Sequence, residues 1–257
     1  MSENIVNNIV IKKVKKKGKA DKYEVTYLKD EEELSIILLE DQIVNFRILK
    51  NKEYTLDEWK TIIDSYNMTL WFGKCINYIS FKMRTTKEIK DYLDKNEVIH
   101  IEEIVDRLTK MKLLDDYRYA RDFLDEVIRK KKGIKYYKNR LSNLGISKDI
   151  INEMMVEYPV DQVFDELLPV IQKQQVKLYT YPINYQKQKI SEKLMRDGFE
   201  SNFVSKIISK IEFDCDIKER IKKEISKIKM KTEDNNKITN KLLQKGYSYQ
   251  DIKKYLE

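Results

Sequence analysis

Apolar and polar residues alternate along roughly the first 50 residues of the chain. The segments IVIKKV, DKYEVTYL, LSIILL and QIVNFRIL have a period of two, which is typical of short strands, and charged turns separate them. Thr55 and Glu58 then form a candidate capping box, and from there to the end the apolar spacing is helical. The pattern predicts a small antiparallel β unit followed by a long α region.

Three glycines in the α region share one setting. Each lies four residues after a leucine and is followed by an apolar or aromatic residue; they are Gly145, Gly198 and Gly246. This setting predicts a helix that ends with glycine in the left-handed C′ position and is closed by a hydrophobic contact. A degenerate earlier copy surrounds Leu93. There Glu97 stands in the place of glycine, and we expect Asn96 to take the left-handed conformation.

The spacing of the corresponding leucines, at 93, 141, 194 and 242, suits repeats of three helices. Third helices are expected to begin near Asp115, Asp161 and Asp216. The predicted fold is mainly α, with tandem three-helix repeats that form an elongated curved array behind a small antiparallel β N-terminal unit. The predicted domains are a β-rich unit ending in a helix (1–66), three repeats (67–132, 133–182 and 183–231) and a truncated fourth repeat of two helices (232–257).

The basic residues are unevenly distributed. The formal net charge is +8, yet residues 1–66 contain 12 Lys/Arg against 13 Asp/Glu, whereas the remaining residues contain 39 against 30. The later part of the chain therefore carries the whole basic excess. An anionic partner, either nucleic acid or an acidic protein surface, is one explanation for this excess, and solvated lysine-rich helix faces are the other.

Residues suited to catalysis or metal binding are few. His100 is the single histidine, no glycine-rich phosphate loop is present, and Cys75 and Cys215 lie far apart outside any CxxC pair. We expect no catalytic residue, no metal and no cofactor, although the many carboxylates leave a metal-dependent nuclease open. No apolar run approaches the about 20 residues that span a bilayer, so no membrane is expected, and the cysteine usage fits a reducing cytoplasm.

Three blocks of the α region are similar to the RecX family, whose members regulate the bacterial RecA recombinase. The blocks are Arg84-Thr85-x-x-Glu88-Ile89-x-x-Tyr92-Leu93, LLDDYRYARDF at 113–123 and KKKGIKYYKNRLSNLGI at 130–146. The resemblance covers roughly residues 70–257 and implies three-helix repeats. It also implies a non-enzymatic protein that lies in the groove of the recombinase–DNA filament and limits filament growth, ATP hydrolysis and strand exchange. Lys112 departs from the glycine that is usual at this position in the family.

Most residues of the second block are expected to serve the fold. We expect Leu113 and Leu114 in the core, and Asp115 at the N-cap of the following helix. For Arg118 and Tyr119, packing and ion pairs are favoured over contact with a partner. Together with the glycines, the structural signature comprises Leu113, Leu114, Asp115, Asp116, Arg118, Tyr119, Ala120, Phe123, Gly145, Gly198 and Gly246.

A basic segment just beyond this block is the candidate contact surface. It holds seven cations and no acid within twelve residues. The predicted contact residues are Arg129, Lys130, Lys131, Lys132, Lys135, Tyr136, Lys138 and Arg140. The expected partner is a RecA-type recombinase filament on single-stranded DNA, with DNA itself as a further candidate, and the protein is expected to be a monomer. The alternatives are a helical-repeat nucleic-acid-binding protein that acts without the recombinase, and a scaffold for another protein.

Overall fold

The computed structural model describes residues 8–18 and 21–256, and the chain divides into two compact units, Met1–Asp115 and Asp116–Glu257. The basic run over residues 12–19, interpreted from its sequence as a hairpin turn, is strand as far as Lys16, and Lys19 lies outside the described residues. No helix within the described ranges is long and apolar enough to cross a membrane.

The first unit begins with a four-stranded antiparallel sheet, which confirms the predicted β unit. Its strands are β1 (Asn8–Lys16), β2 (Lys22–Lys29), β3 (Glu32–Leu39) and β4 (Glu53–Thr55), in the order β3-β2-β1-β4. The sheet packs its buried face, with Ile9, Ile11, Val25 and Leu38 fully buried, against the helix that follows.

The fourth predicted strand, QIVNFRIL, is wrong. Its first residues belong to a short helix, α1 (Glu40–Asn45), and the fourth strand lies later, where β4 pairs with β1. A short apolar run does not distinguish a strand from a helical turn by periodicity alone. Two acids, Glu40 and Asp41, occupy the first turn of α1, where the positive end of the helix dipole stabilises them.

A 26-residue helix, α2 (Leu56–Phe81), connects the sheet to the helical part of the first unit. The predicted capping box is confirmed, because the Glu58 N–H donates to Thr55 Oγ1 over 3.2 Å and the Thr55 N–H donates to Glu58 Oε2 over 2.8 Å. Near its start α2 buries Trp59 against the sheet, and near its end it buries Phe72 against the helices that follow. The helix passes residue 66 without a break.

The helices that follow within the described residues are between 8 and 18 residues long. They are α3 (Thr86–Asp94), α4 (Ile101–Lys110), α5 (Asp116–Arg129), α6 (Ile134–Asn143), α7 (Lys148–Val156), α8 (Val160–Lys177), α9 (Ile183–Arg196), α10 (Ser201–Ser209), α11 (Lys218–Lys229), α12 (Asn235–Gln244) and α13 (Tyr249–Leu256). The long helices α5, α8 and α11 begin within two residues of the predicted starts. The mainly α fold is confirmed.

The three glycines end their helices as predicted. Gly145, Gly198 and Gly246 have φ of 78°, 90° and 87°, and the next residue in each case donates its N–H to the leucine carbonyl five positions back. In the degenerate copy the prediction was wrong: Glu97, with φ 56°, takes the left-handed position, and the Asn96 side chain instead donates to the Tyr92 carbonyl. The position in the helix end, rather than the local preference for Asn, decides which residue is left-handed.

Candidate functional site

The two leucines that open the LLDDYRYARDF block differ in burial. Leu114 is buried, but Leu113 is 37% exposed. Lys112 is left-handed, with φ 56°, and the Leu113 N–H closes the end of α4 on the Leu108 carbonyl. This position turns the Leu113 side chain outwards, so its predicted place in the core is wrong. In the second unit, Ala120 is fully buried in the hydrophobic core, and Phe123 packs against that core.

Three of the seven cations of the predicted basic surface are engaged within the fold. Lys130 pairs with Glu126, Lys131 Nζ lies 3.3 Å from Glu166 Oε2, and Lys132 Nζ lies 2.5 Å from Asp197 Oδ1. The Lys132 carbonyl also accepts a hydrogen bond from the Tyr158 hydroxyl over 2.8 Å. Lys131 and Lys132 join the end of α5 to α8 and to the end of α9, whereas Lys130 pairs with Glu126 of α5 itself. Their charges are already balanced before any partner binds.

The other five residues of the predicted surface face solvent. Four cations are exposed and form no ion pair with any residue in the described ranges; they are Arg129, Lys135, Lys138 and Arg140. Lys135 and Lys138 are three residues apart on α6 and therefore lie on the same side of the helix. Tyr136 is 39% exposed beside them. The exposed part of the predicted site is thus the outer side of α6 with Arg129.

A close backbone contact joins the start of α6 to the end of α9. The Gly133 N–H donates to the Asp197 carbonyl over 2.9 Å, and the Lys135 N–H donates to the Gly198 carbonyl over 3.0 Å. A Cβ on Gly133 would lie 2.2 Å from the Gly198 carbonyl group, which only glycine avoids. Local sequence pattern does not indicate this contact, since Gly198 lies 65 residues further along the chain.

A close backbone approach also occurs between α12 and α9. A Cβ on Gly246, at the end of α12, would lie 2.9 Å from the Tyr185 nitrogen in the first turn of α9. The helices α12, α9 and α6 therefore run head to tail, each C-terminal glycine meeting the N-terminal turn of the next helix. We call these three helices the basic row.

The basic row carries an unusual charge. It contains nine Lys/Arg and one acid, Glu192. The cations are Lys135, Lys138, Arg140, Lys187, Lys189, Lys193, Arg196, Lys237 and Lys241. In α5, α7 and α8, by contrast, acids outnumber bases. Such a row attracts polyanions through the summed field of its charges, an attraction that salt weakens.

A cleft of about 360 Å³ lies beside the row, between α9, α11 and the end of α12. Its wall is a column of stacked groups. The Arg220 guanidinium lies 3.6 Å from the centre of the Tyr181 ring, and the Tyr181 and Tyr185 rings stack at 4.8 Å with 13° between their planes. Lys189 Nζ lies over the Tyr185 ring at 5.5 Å. Lys245 also lines the cleft. Nothing in the local sequence pattern indicated it.

Comparison with known proteins shows similarity to the RecX family. Residues 72–108, from α2 to the end of the α4 core, match the family model of the RecX first three-helix domain. Proteins named Regulatory protein RecX from Staphylococcus aureus strains JH9 and Newman are 31% identical over 163 residues, which is 62% of this chain. The resemblance to the RecX family is confirmed. The matched region spans 60% of the length of these RecX relatives.

Solved RecX structures share the fold. The crystal structure of a regulatory protein RecX aligns with a TM-score of 0.60 at 20% identity, covering 79% of this chain and all of that one. RecX from Lactobacillus salivarius aligns with a TM-score of 0.52 at 24% identity, covering 56% of this chain and 96% of that one. At these identities the RecX structures support the helical architecture and not the role of any single residue.

Proposed function

We propose that the chain is a non-enzymatic negative regulator of a RecA-type recombinase. It binds the recombinase–DNA filament along its groove, as a monomer in the cytoplasm, and limits filament growth, ATP hydrolysis and strand exchange. The observation that carries this proposal is the RecX three-helix domain at residues 72–108, followed by further helices of the same pattern. An array of such units contacts several filament subunits at once and gains avidity from weak contacts.

Within this proposal the contact residues are those of the predicted surface that face solvent. Arg129, Lys135, Tyr136, Lys138 and Arg140 meet acidic protein groups or DNA phosphates, since their charges are not balanced by the described part of the chain. Lys130, Lys131 and Lys132 serve the fold instead, because each has a carboxylate partner. The repeat boundaries 67–132, 133–182, 183–231 and 232–257 belong to the same proposal.

The test is the ATPase activity of the cognate recombinase on single-stranded DNA. The wild-type protein is expected to slow hydrolysis at substoichiometric amounts in low salt. The double variant Lys135→Glu/Lys138→Glu is expected to require at least about tenfold more protein, since charge reversal in a polyanion contact costs about 1 kcal/mol or more per site. No slowing by equimolar wild-type protein refutes the proposal.

The matched control reverses two lysines outside the basic row. Lys173 and Lys177 are exposed on α8 and, within the described residues, form no ion pair. The double variant Lys173→Glu/Lys177→Glu changes the net charge equally and is expected to inhibit like the wild type. If both double variants lose inhibition alike, overall charge rather than the row is responsible.

The second candidate is a helical-repeat nucleic-acid-binding protein that acts without the recombinase. The concentration of nine cations in the basic row favours it. Contacts to phosphates give sequence-independent binding that weakens steeply with salt. Tight binding to labelled DNA that added recombinase leaves unchanged, together with unaltered ATP hydrolysis, would support this candidate over the first.

A further inference from the structure

The cleft beside the basic row has the chemistry of a site for one nucleotide. Single-strand-binding proteins combine an aromatic face, on which a base stacks, with cations that contact the backbone. Tyr185 supplies the aromatic face, and Lys189 and Lys245 supply the cations, all three lining the same cleft. We propose that this cleft binds a nucleotide of single-stranded nucleic acid, with the base on Tyr185 and the phosphate between Lys189 and Lys245.

The aromatic face is held in place before any ligand binds. The Arg220 Nε donates to the Thr180 carbonyl over 2.9 Å, and its guanidinium covers Tyr181. Tyr181 in turn covers one face of Tyr185. Lys189 Nζ also lies over the Tyr185 ring at 5.5 Å, and it turns from the ring to the phosphate as a base stacks on Tyr185 and extends the column by one ring. Little side-chain entropy is lost on binding, because the column is preorganised.

The phosphate position requires only the exchange of surface ion pairs. Lys189 Nζ lies 3.0 Å from Glu192 Oε2, and Lys245 Nζ lies 3.0 Å from Glu224 Oε2. Both lysines are about half exposed, and the pair with Glu192, which is exposed on both sides, contributes little to stability, whereas Glu224 is only 20% exposed and keeps Arg220 nearby in the cleft wall. Either ammonium can therefore turn to a phosphate at small cost. Arg220 adds a third positive charge in the wall, bonded to Thr180 rather than to a carboxylate.

A strand fits this site better than a free nucleotide or a duplex. The cleft opens beside α9, where Lys193 and Arg196 follow Lys189 at intervals of four and three residues and therefore lie on the same side of the helix. A chain of phosphates meets these charges, whereas a single nucleotide does not. In a duplex the faces of the bases are already stacked on one another, so Tyr185 finds no free face. The inference deepens the nucleic-acid role of the row and requires no recombinase.

The experiment measures fluorescence anisotropy of a labelled oligothymidylate of about 20 nucleotides, and of a duplex of equal length, with the full chain in low salt. Tyr185→Ala is expected to weaken single-strand binding about tenfold and duplex binding less than about twofold, because only the single strand stacks. Tyr185→Phe keeps the ring and is expected to bind like the wild type. Tyr249→Ala removes a tyrosine that is 65% exposed outside the cleft and should change neither affinity.

A second variant keeps the test informative if Tyr185→Ala is poorly folded. Lys189→Gln leaves the column intact and is expected to reduce the salt dependence of single-strand binding by about one phosphate contact. Wild-type-like binding by both Tyr185→Ala and Lys189→Gln, or an equal loss of single-strand and duplex binding by Tyr185→Ala, overturns the proposal. Failure of the recombinase proposal is a separate outcome, since it is read from ATP hydrolysis and not from binding to free oligonucleotides.

Discussion

Replacing Gly133 by alanine tests the head-to-tail contact directly. The new methyl group would lie 2.2 Å from the carbonyl carbon and oxygen of Gly198, far inside van der Waals contact, and both neighbours are backbone atoms that do not rotate away. Relief requires the start of α6 to move off the end of α9. That movement breaks the hydrogen bonds from the Gly133 and Lys135 N–H groups, and it stretches the pair between Lys132 and Asp197.

The expected loss follows from these contacts. Two backbone hydrogen bonds contribute about 1 kcal/mol each, and the charged hydrogen bond of Lys132 about 1.5 kcal/mol. Alanine restores about 0.4–1 kcal/mol by restricting the unfolded chain. We therefore expect Gly133→Ala to lower the free energy of unfolding of the second unit by about 2–3 kcal/mol, measured by urea titration of the helical circular dichroism.

The control uses the same chemical change at a site without neighbours. Gly73 lies inside α2, and a Cβ there would meet nothing within 4 Å. Gly73→Ala is expected to raise the stability of the first unit by about 0.5–1 kcal/mol, because alanine favours a helix interior. If Gly133→Ala leaves the urea midpoint within about 0.5 kcal/mol of wild type, the close contact with Gly198 does not stabilise the molecule as argued.

Three further predictions concern other parts of the fold. Glu97→Gly is expected to raise stability by about 1 kcal/mol, because glycine takes φ 56° without strain. Lys95 lies in the right-handed region, so Lys95→Gly should lower stability. Thermal melting distinguishes the two variants. Burial raises the pKa of Tyr158 and of Tyr247 to about 12. The stability they contribute is complete below about pH 10 and is lost as pH rises towards 12, by about 1.4 kcal/mol per pH unit for each, so urea midpoints should fall in that window. Burial also raises the pKa of Cys75 to about 11, so a thiol reagent at pH 8 should modify this side chain only after urea unfolding.

The sequence predicts those parts of the molecule that depend on local periodicity. The capping box at Thr55, the helix ends at Gly145, Gly198 and Gly246, and the burial of Leu114 each follow from residues within one or two helical turns. The error at Asn96 shows the limit of such reasoning. Local preference favoured Asn, but the hydrogen bond from the Val98 N–H to the Leu93 carbonyl fixes Glu97 as the left-handed residue.

The candidate site was predicted less well because its decisive contacts are remote in sequence. Judged from its neighbours in the sequence alone, the segment from Lys130 to Lys132 appears as positive charge available to a partner. Its carboxylate partners Glu166 and Asp197 lie 35 and 65 residues further on. The cleft at Tyr185 likewise requires Arg220 from another helix. The periodicity of apolar residues locates the helices, but only the packing of the helices decides which of their charges remain available to a partner.

The head-to-tail contacts also explain how the helices of the basic row begin. The first N–H groups and last carbonyls of any helix lack partners within it. Where α6 meets α9 these two sets satisfy each other, and α6 accordingly starts at Gly133 with no capping side chain. The helix α9 starts at Pro182, again without a side-chain cap, where Gly246 meets its first turn.

The N-terminus of α12 meets no further helix within the described residues. There the Asp234 side chain accepts hydrogen bonds from two backbone N–H groups. A side-chain cap is thus present where the next helix is absent. Each contact also places the positive end of one helix dipole at the negative end of another, which stabilises the alignment. The close contacts that require glycine are therefore also the contacts that align the three helices carrying the nine cations of the basic row.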